Sequence, residues 1–214
     1  MNINEIIKSD IRASITKSGA LLFLAGFLIF MGIITSEIFY KSDYNARDNY
    51  ISELATESSN DNEIRQPSAT IFNSTMIITG IMVMIAAFYT QKVFRKYIST
   101  VPLGLLGIGL SGVGIFPGNI IPWHFIFALV IFISGGIAAI TSCKIVSSPL
   151  RYIFICFGII ALVFLFFNKL FIPGLGAGGA ERWLFYPIVF WLTGLGAYLL
   201  GIKDGHRNTL STHS

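Results

Sequence analysis

A chain of 214 residues that is 54% hydrophobic, only 12% charged and has a mean hydropathy of +0.71 is too apolar for an ordinary soluble domain. Its net charge of +4 comes from basic residues spread over short segments and not gathered in one patch, which argues against nucleic acid as a partner. The composition is that of an all-α, polytopic membrane protein whose partners are membrane lipids.

Residues 1–17 carry Glu5, Lys8, Asp10, Arg12 and Lys17 and lack the apolar core and small-residue cleavage site of a signal peptide, so we read them as an N-terminal cytoplasmic segment that is retained. Six apolar stretches follow, at 18–40, 70–90, 100–117, 120–141, 152–173 and 183–202. Each approaches the roughly 20 residues a helix needs to cross a bilayer, which predicts a six-transmembrane-helix bundle over 18–202 and a polar, disordered tail at 203–214. The third stretch is short and glycine-rich, but Thr100 can cap it, Pro102 suits a first turn, and Pro117 with Gly118 ends it. Small residues at helical spacing predict close helix contacts along three stripes: Gly104, Gly107, Ser111 and Gly114; Gly135 and Ala139; Thr193, Ala197 and Gly201.

Basic residues set the expected orientation. With six spans, Lys8, Arg12, Lys17, Lys92, Arg95, Lys96, Lys144, Arg151, Lys203 and Arg207 fall on one side, ten of the 15 in the chain. The positive-inside rule makes that side cytoplasmic, with both termini on it, in a multi-pass protein of the cell membrane. Cys143 and Cys156 then lie near a cytoplasmic loop and stay reduced.

The longest connection, 41–69, falls outside. Within it Asp48 can cap a short helix that carries Tyr50, Ile51 and Leu54 on one side, lying on the membrane surface or folding over the bundle as a lid. The stretch 58–66 reads as a polar linker.

Polar residues capable of chemistry converge on the outer side. His124, the only histidine outside the C-terminal tail, follows Trp123 at the mouth of the fourth span, where an ionisable group is rare and faces the protein interior. Glu37, Ser52, Glu53, Asn49, Asn73, Asn119, Lys169, Glu181 and Arg182 complete a polar cup. In it His124 serves as general base or headgroup ligand, oriented by Glu37 or Glu53, with Ser52 as a nucleophile, and it should lie within about 4 Å of Glu37, Ser52, Glu53 or Glu181. The glycine-rich turn 174–180, with Gly176 and Gly178, leads into a helix start and would expose backbone N–H groups to a phosphate, assisted by Lys169 and Arg182. One membrane-region histidine and two distant cysteines fall short of a zinc set, so no metal or cofactor is expected. No GxSxG elbow or HExxH pair occurs.

Residues Asn49, Tyr50, Ile51, Ser52, Glu53 and Leu54, then Gly112 to Pro117 with His124 and Ala128, and finally Glu181, Arg182 and Trp183, together resemble a prokaryotic family of six-span membrane proteins known only as a domain of unknown function. The same motifs are similar to those of the Frag1/DRAM/Sfk1 group, which has an Ile-Ser-acid motif in its first luminal loop, a later His followed by Ala, and a Glu-Trp pair near its last span. That second resemblance implies a link to lipid remodelling and autophagy. The chain departs from the group where a Pro-Glu pair is expected, having Gln66 and Pro67 instead. The combined reading is a protein that handles lipid headgroups at an outer-face polar cup, with catalysis left open. A non-catalytic scaffold or a small-solute permease is the alternative, and a homo-oligomer is left open.

Overall fold

In the apolar stretches, backbone N–H and C=O groups have no water to bond, so helix is the form that satisfies them within one segment. The computed structural model describes residues 3–40, 44–56 and 66–211, with side chains from 5 to 202. Its described residues form six α-helices: α1 (Ile3–Ile38), α2 (Ser68–Phe94), α3 (Tyr97–Ile115), α4 (Trp123–Thr141), α5 (Leu150–Phe166) and α6 (Asn168–Ser211). A short 3-10 helix, Ile51–Ala55, sits in the first connection and is called the plug helix below; another, Ser142–Lys144, follows α4. All but α5 are long and apolar enough to cross a membrane, and α5 has 17 residues. The protein is a helical, multi-pass integral membrane bundle.

Successive helices run antiparallel. Ser18 of α1 meets Thr90 of α2 at 2.6 Å, Ser99 of α3 donates to the Thr141 carbonyl of α4 at 2.7 Å, and Gly158 of α5 abuts Gly136 of α4. The ring closes where α6 packs antiparallel on α1 and parallel to α4. The start of α1 and the end of α6 therefore lie at one end of the bundle, the terminal end, while the plug helix and the α3–α4 turn lie at the other, the loop end.

Small residues set how closely the helices approach. A Cβ on Gly107 would stand 2.7 Å from the Gly80 carbonyl oxygen of α2, and one on Gly114 2.6 Å from that of Asn73, so the first stripe is a backbone contact. Gly135 instead makes room for the Ile188 side chain of α6. The third stripe differs from expectation. Thr193 meets Gly26 of α1, but Ala197 and Gly201 are exposed, and Gly196 makes the close contact, its Cβ position only 2.3 Å from the Phe23 amide nitrogen. The helix face is shifted by one residue because the α1 crossing, and not the regular spacing of small residues, decides which side is buried.

Element boundaries shift too. α1 extends outward to Ile3, and α3 starts at Tyr97, which leaves Pro102 inside the helix and directs the Thr100 hydroxyl to Gln91 at 2.5 Å instead of capping. α5 stops at Phe166, since Phe167 leaves helical geometry and Asn168 begins α6. The glycine-rich stretch expected as a loop is helical except at Gly176 (φ 76°, ψ 169°), where α6 bends. α6 runs on to Ser211, into the stretch expected to be disordered, and the linker 58–66 lies outside the described residues except for Gln66.

Overpacking the α2–α3 contact should cost about 1–3 kcal/mol. Gly107→Leu is expected to lower Tm in detergent, whereas Gly201→Leu, with nothing within 4 Å of its Cβ position, should melt like the parent.

Candidate functional site

Arg182 follows the bend in α6 with its side chain largely buried, so its guanidinium must be given acceptors by the protein. It receives them from three parts of the chain. One terminal nitrogen donates to Glu37 at the end of α1 (2.5 Å) and to the Tyr44 hydroxyl (2.7 Å). The other donates to the carbonyls of Ala46 (2.7 Å), Gly178 (3.1 Å) and Asn49 (3.2 Å). The Arg182 and Glu37 side chains are only 13% and 26% exposed, so this pair is shielded from the screening that weakens surface ion pairs. Tyr44 passes the link on, donating to the Tyr50 carbonyl at 3.2 Å. Burial pushes the Tyr44 phenol up, with the adjacent guanidinium opposing it, so the hydroxyl keeps the proton it donates.

The glycines of α6 receive this loop. At Gly176 the positive φ favours glycine, and a Cβ would also strike the Arg47 carbonyl oxygen at 2.2 Å. A Cβ on Gly178 would stand 2.0 Å from the Asn49 carbonyl oxygen, and the Gly179 amide donates to Arg47 at 3.0 Å. The turn expected to hold a phosphate thus holds the chain's own carbonyls, and Arg182 is committed to the same task. Both are corrections with one cause: the first connection folds back onto α6 and brings its own acceptors. Lys169 is exposed on the first turn of α6, away from this clamp.

Docked there, the loop delivers the plug helix into the bundle. Ile51, Leu54 and Ala55 are buried, while Tyr50 is 39% exposed and does not share their side. Asp48 does not cap this helix but bonds Asn45 (2.8 Å), while Glu53 receives the Tyr50 amide (2.9 Å) and the Asn49 side-chain amide (2.8 Å). Glu181, beside Arg182, accepts a hydrogen bond from the Ile51 amide. The lid lies within the mouth of the bundle, not on the membrane surface.

Beneath it is a cavity of about 40 Å³ between α2, α3, α4 and α6. Ser52 of the plug helix, His124 of α4 and Glu181 of α6 are its polar lining; Phe72, Met76, Val113, Ile131 and Phe185 are among the apolar residues around them. The space suffices for a few waters and for no headgroup. His124 Nδ1 lies 2.8 Å from the Phe116 carbonyl. A carbonyl can only accept, so Nδ1 carries a proton, and in the neutral imidazole Nε2 then keeps a lone pair, the form a base or ligand requires. Glu37 and Glu53 do not orient His124. Glu37 goes to Arg182 and Glu53 to the loop, and the Phe116 carbonyl, brought round by the α3–α4 turn, takes the orienting role.

Asn73 and Asn119 stand apart, lining a second recess of about 300 Å³ with Gln66 and Thr70. Asn73 donates to the Ala55 carbonyl at 3.3 Å and so supports the plug helix from α2. Sequence reasoning missed Tyr44. The available signal was the pairing rule itself, because an arginine at the mouth of α6 needs acceptors and Tyr44 lies a few residues beyond Glu37 on the neighbouring segment.

Residues 23–198 match the family described as Protein of unknown function (DUF998). The chain belongs to the DUF998 family. The matched region takes in the clamp, the plug helix and the cavity, so in this DUF998 protein the site belongs to the family domain and not to an appended tail. No curated protein and no solved structure matches the chain.

Removing one member of a shielded ion pair strands the other, which costs more than removing both. Arg182→Met should destabilise the protein by about 3 kcal/mol, and the double variant Glu37→Met, Arg182→Met should recover part of that loss in a thermal melt.

Proposed function

We propose that this membrane protein handles lipid headgroups at its loop end, in the space that the plug helix closes. The observation that supports this reading is the meeting of a hydroxyl, an imidazole and a carboxylate, from Ser52, His124 and Glu181, on one otherwise apolar cavity. Such groups are expensive at this depth, and an apolar core would be better packed without them. In this reading the plug helix moves aside, the headgroup's polar atoms take the places of the cavity waters, and His124 Nε2 accepts a hydrogen bond or a proton from the ligand. Glu181 then exchanges the Ile51 amide for the ligand. Ser52 is the nearest hydroxyl for any covalent step, and the reading does not depend on one.

A second reading, a non-catalytic scaffold, is favoured by the Arg182 clamp. Its donors are met by the protein itself, as they would be if the polar residues served only to tie the loop down.

Titration with a water-soluble dihexanoyl phospholipid separates the two. His124→Ala should weaken binding about tenfold, the value of one hydrogen bond at a desolvated site, with little change in Tm. Affinity equal to the parent's, or a loss matched by a loss of folding, would leave the scaffold reading ahead.

A further inference from the structure

Phe116 ends α3. It leaves helical geometry (φ −115°, ψ 83°) while its own amide still donates to the Gly112 carbonyl at 2.8 Å, which ties the residue to the last turn of the helix. Its carbonyl, like the others at a helix C-terminus, has no donor within the helix. His124 supplies one through Nδ1, so the direction of a single carbonyl decides which imidazole nitrogen holds the proton.

That residue is held by an aromatic contact. The Phe116 ring stacks on the Phe127 ring with centroids 5.5 Å apart and planes 6° from parallel, and Trp123 flanks Phe116 at 6.0 Å, both separations that aromatic pairs favour. Phe127 follows His124 by three residues on α4, so its ring and the imidazole leave neighbouring positions on one face of that helix. Its ring can lie against α3 only because a glycine receives it: a Cβ on Gly112 would stand 2.2 Å from two of the ring carbons. Gly109, one turn earlier, lets the two backbones approach, its Cβ position being 3.1 Å from the Phe127 carbonyl oxygen. The circuit closes on itself. Gly112 seats Phe127, Phe127 steadies Phe116, and the Phe116 carbonyl orients the imidazole that α4 carries beside Phe127.

We infer that Phe127, seated on Gly112, is the positioning residue that holds neutral His124 as a single tautomer, with the proton on Nδ1 and the lone pair on Nε2. What that lone pair does for a ligand rests on the headgroup reading of the cavity; the tautomer does not.

The test is NMR of the full-length protein in detergent with isotope-labelled histidine nitrogens, at a pH where the imidazole is neutral, the His124 signals being those lost in His124→Ala. The parent should show a protonated Nδ1 and an unprotonated Nε2. Phe127→Leu keeps an apolar side chain over Gly112 but removes the stack, so it should move the tautomer ratio about tenfold toward the Nε2–H form, the value of one hydrogen bond. Gly112→Ala, which unseats the ring, should do the same. Gly104→Ala, whose Cβ would meet only Ala87 at 3.9 Å, should leave the ratio as in the parent. A folded Phe127→Leu or Gly112→Ala with the parent's ratio would overturn the assignment, and so would a shift of equal size in Gly104→Ala. Titration with dihexanoyl phospholipid keeps the two readings apart. A Phe127→Leu whose tautomer shifts while its affinity stays at the parent's upholds the positioning role and counts against headgroup handling at His124.

Discussion

The loop end of the bundle depends on the arginine at position 182. A guanidinium at the mouth of a membrane bundle needs acceptors it can reach without leaving the protein, and Glu37, Tyr44 and three backbone carbonyls provide them. Because those acceptors come from α1, from the first connection and from α6 itself, satisfying one side chain fixes the relative position of three segments. The seat of Gly176 and Gly178 is the steric counterpart of the same interaction, since a side chain at Gly178 would displace the Ala46 and Asn49 carbonyls that Arg182 binds, and one at Gly176 would displace the Arg47 carbonyl that the Gly179 amide binds. Downstream of the clamp, the plug helix is delivered over the cavity and Glu181 holds its first amide.

This arrangement divides the polar residues of the loop end into two groups. Those in the clamp are fully engaged with one another and do structural work. On the cavity, His124 and Glu181 are held in place by backbone groups: an imidazole bonded through Nδ1 to the Phe116 carbonyl, and a carboxylate that takes the Ile51 and Ser52 backbone amides of the plug helix. The proposed function rests on the second group. Access to it requires the first group to let the loop move, so a single network couples stability to entry.

Much of the bundle is legible in the sequence because its cause is local. Apolar length gives helices, and the spacing of Gly107 and Gly114 gives the α2–α3 contact. That Ser52, His124 and Glu181 line one cavity is partly legible as well, since all three lie at one mouth if six helices alternate. What could not be read were choices made between distant segments. A glycine-rich turn before a helix has the same sequence whether it receives a phosphate or a loop carbonyl, and only the length and path of the 41–69 connection decides that Arg47 and Asn49 arrive first. Gly196 in place of Ala197 is a smaller case, fixed by the crossing of α1. Around Gly176 the sequence is rich in poor helix formers, Pro173, Gly174, Gly178 and Gly179, so nothing local shows that it continues as helix on both sides of the Gly176 bend with the first loop seated on it.

The central claim is that Arg182 seats the first loop and thereby the plug helix. Amide hydrogen exchange tests it most directly, comparing the parent with Arg182→Met in the same detergent. The account predicts that the amides of Ile51 and Gly179 lose protection in the variant, together with the 44–56 segment, while amides around Gly107 in α3 exchange as before. Unchanged protection at Ile51 and Gly179 would show that the loop is held by something other than Arg182 and would contradict the account.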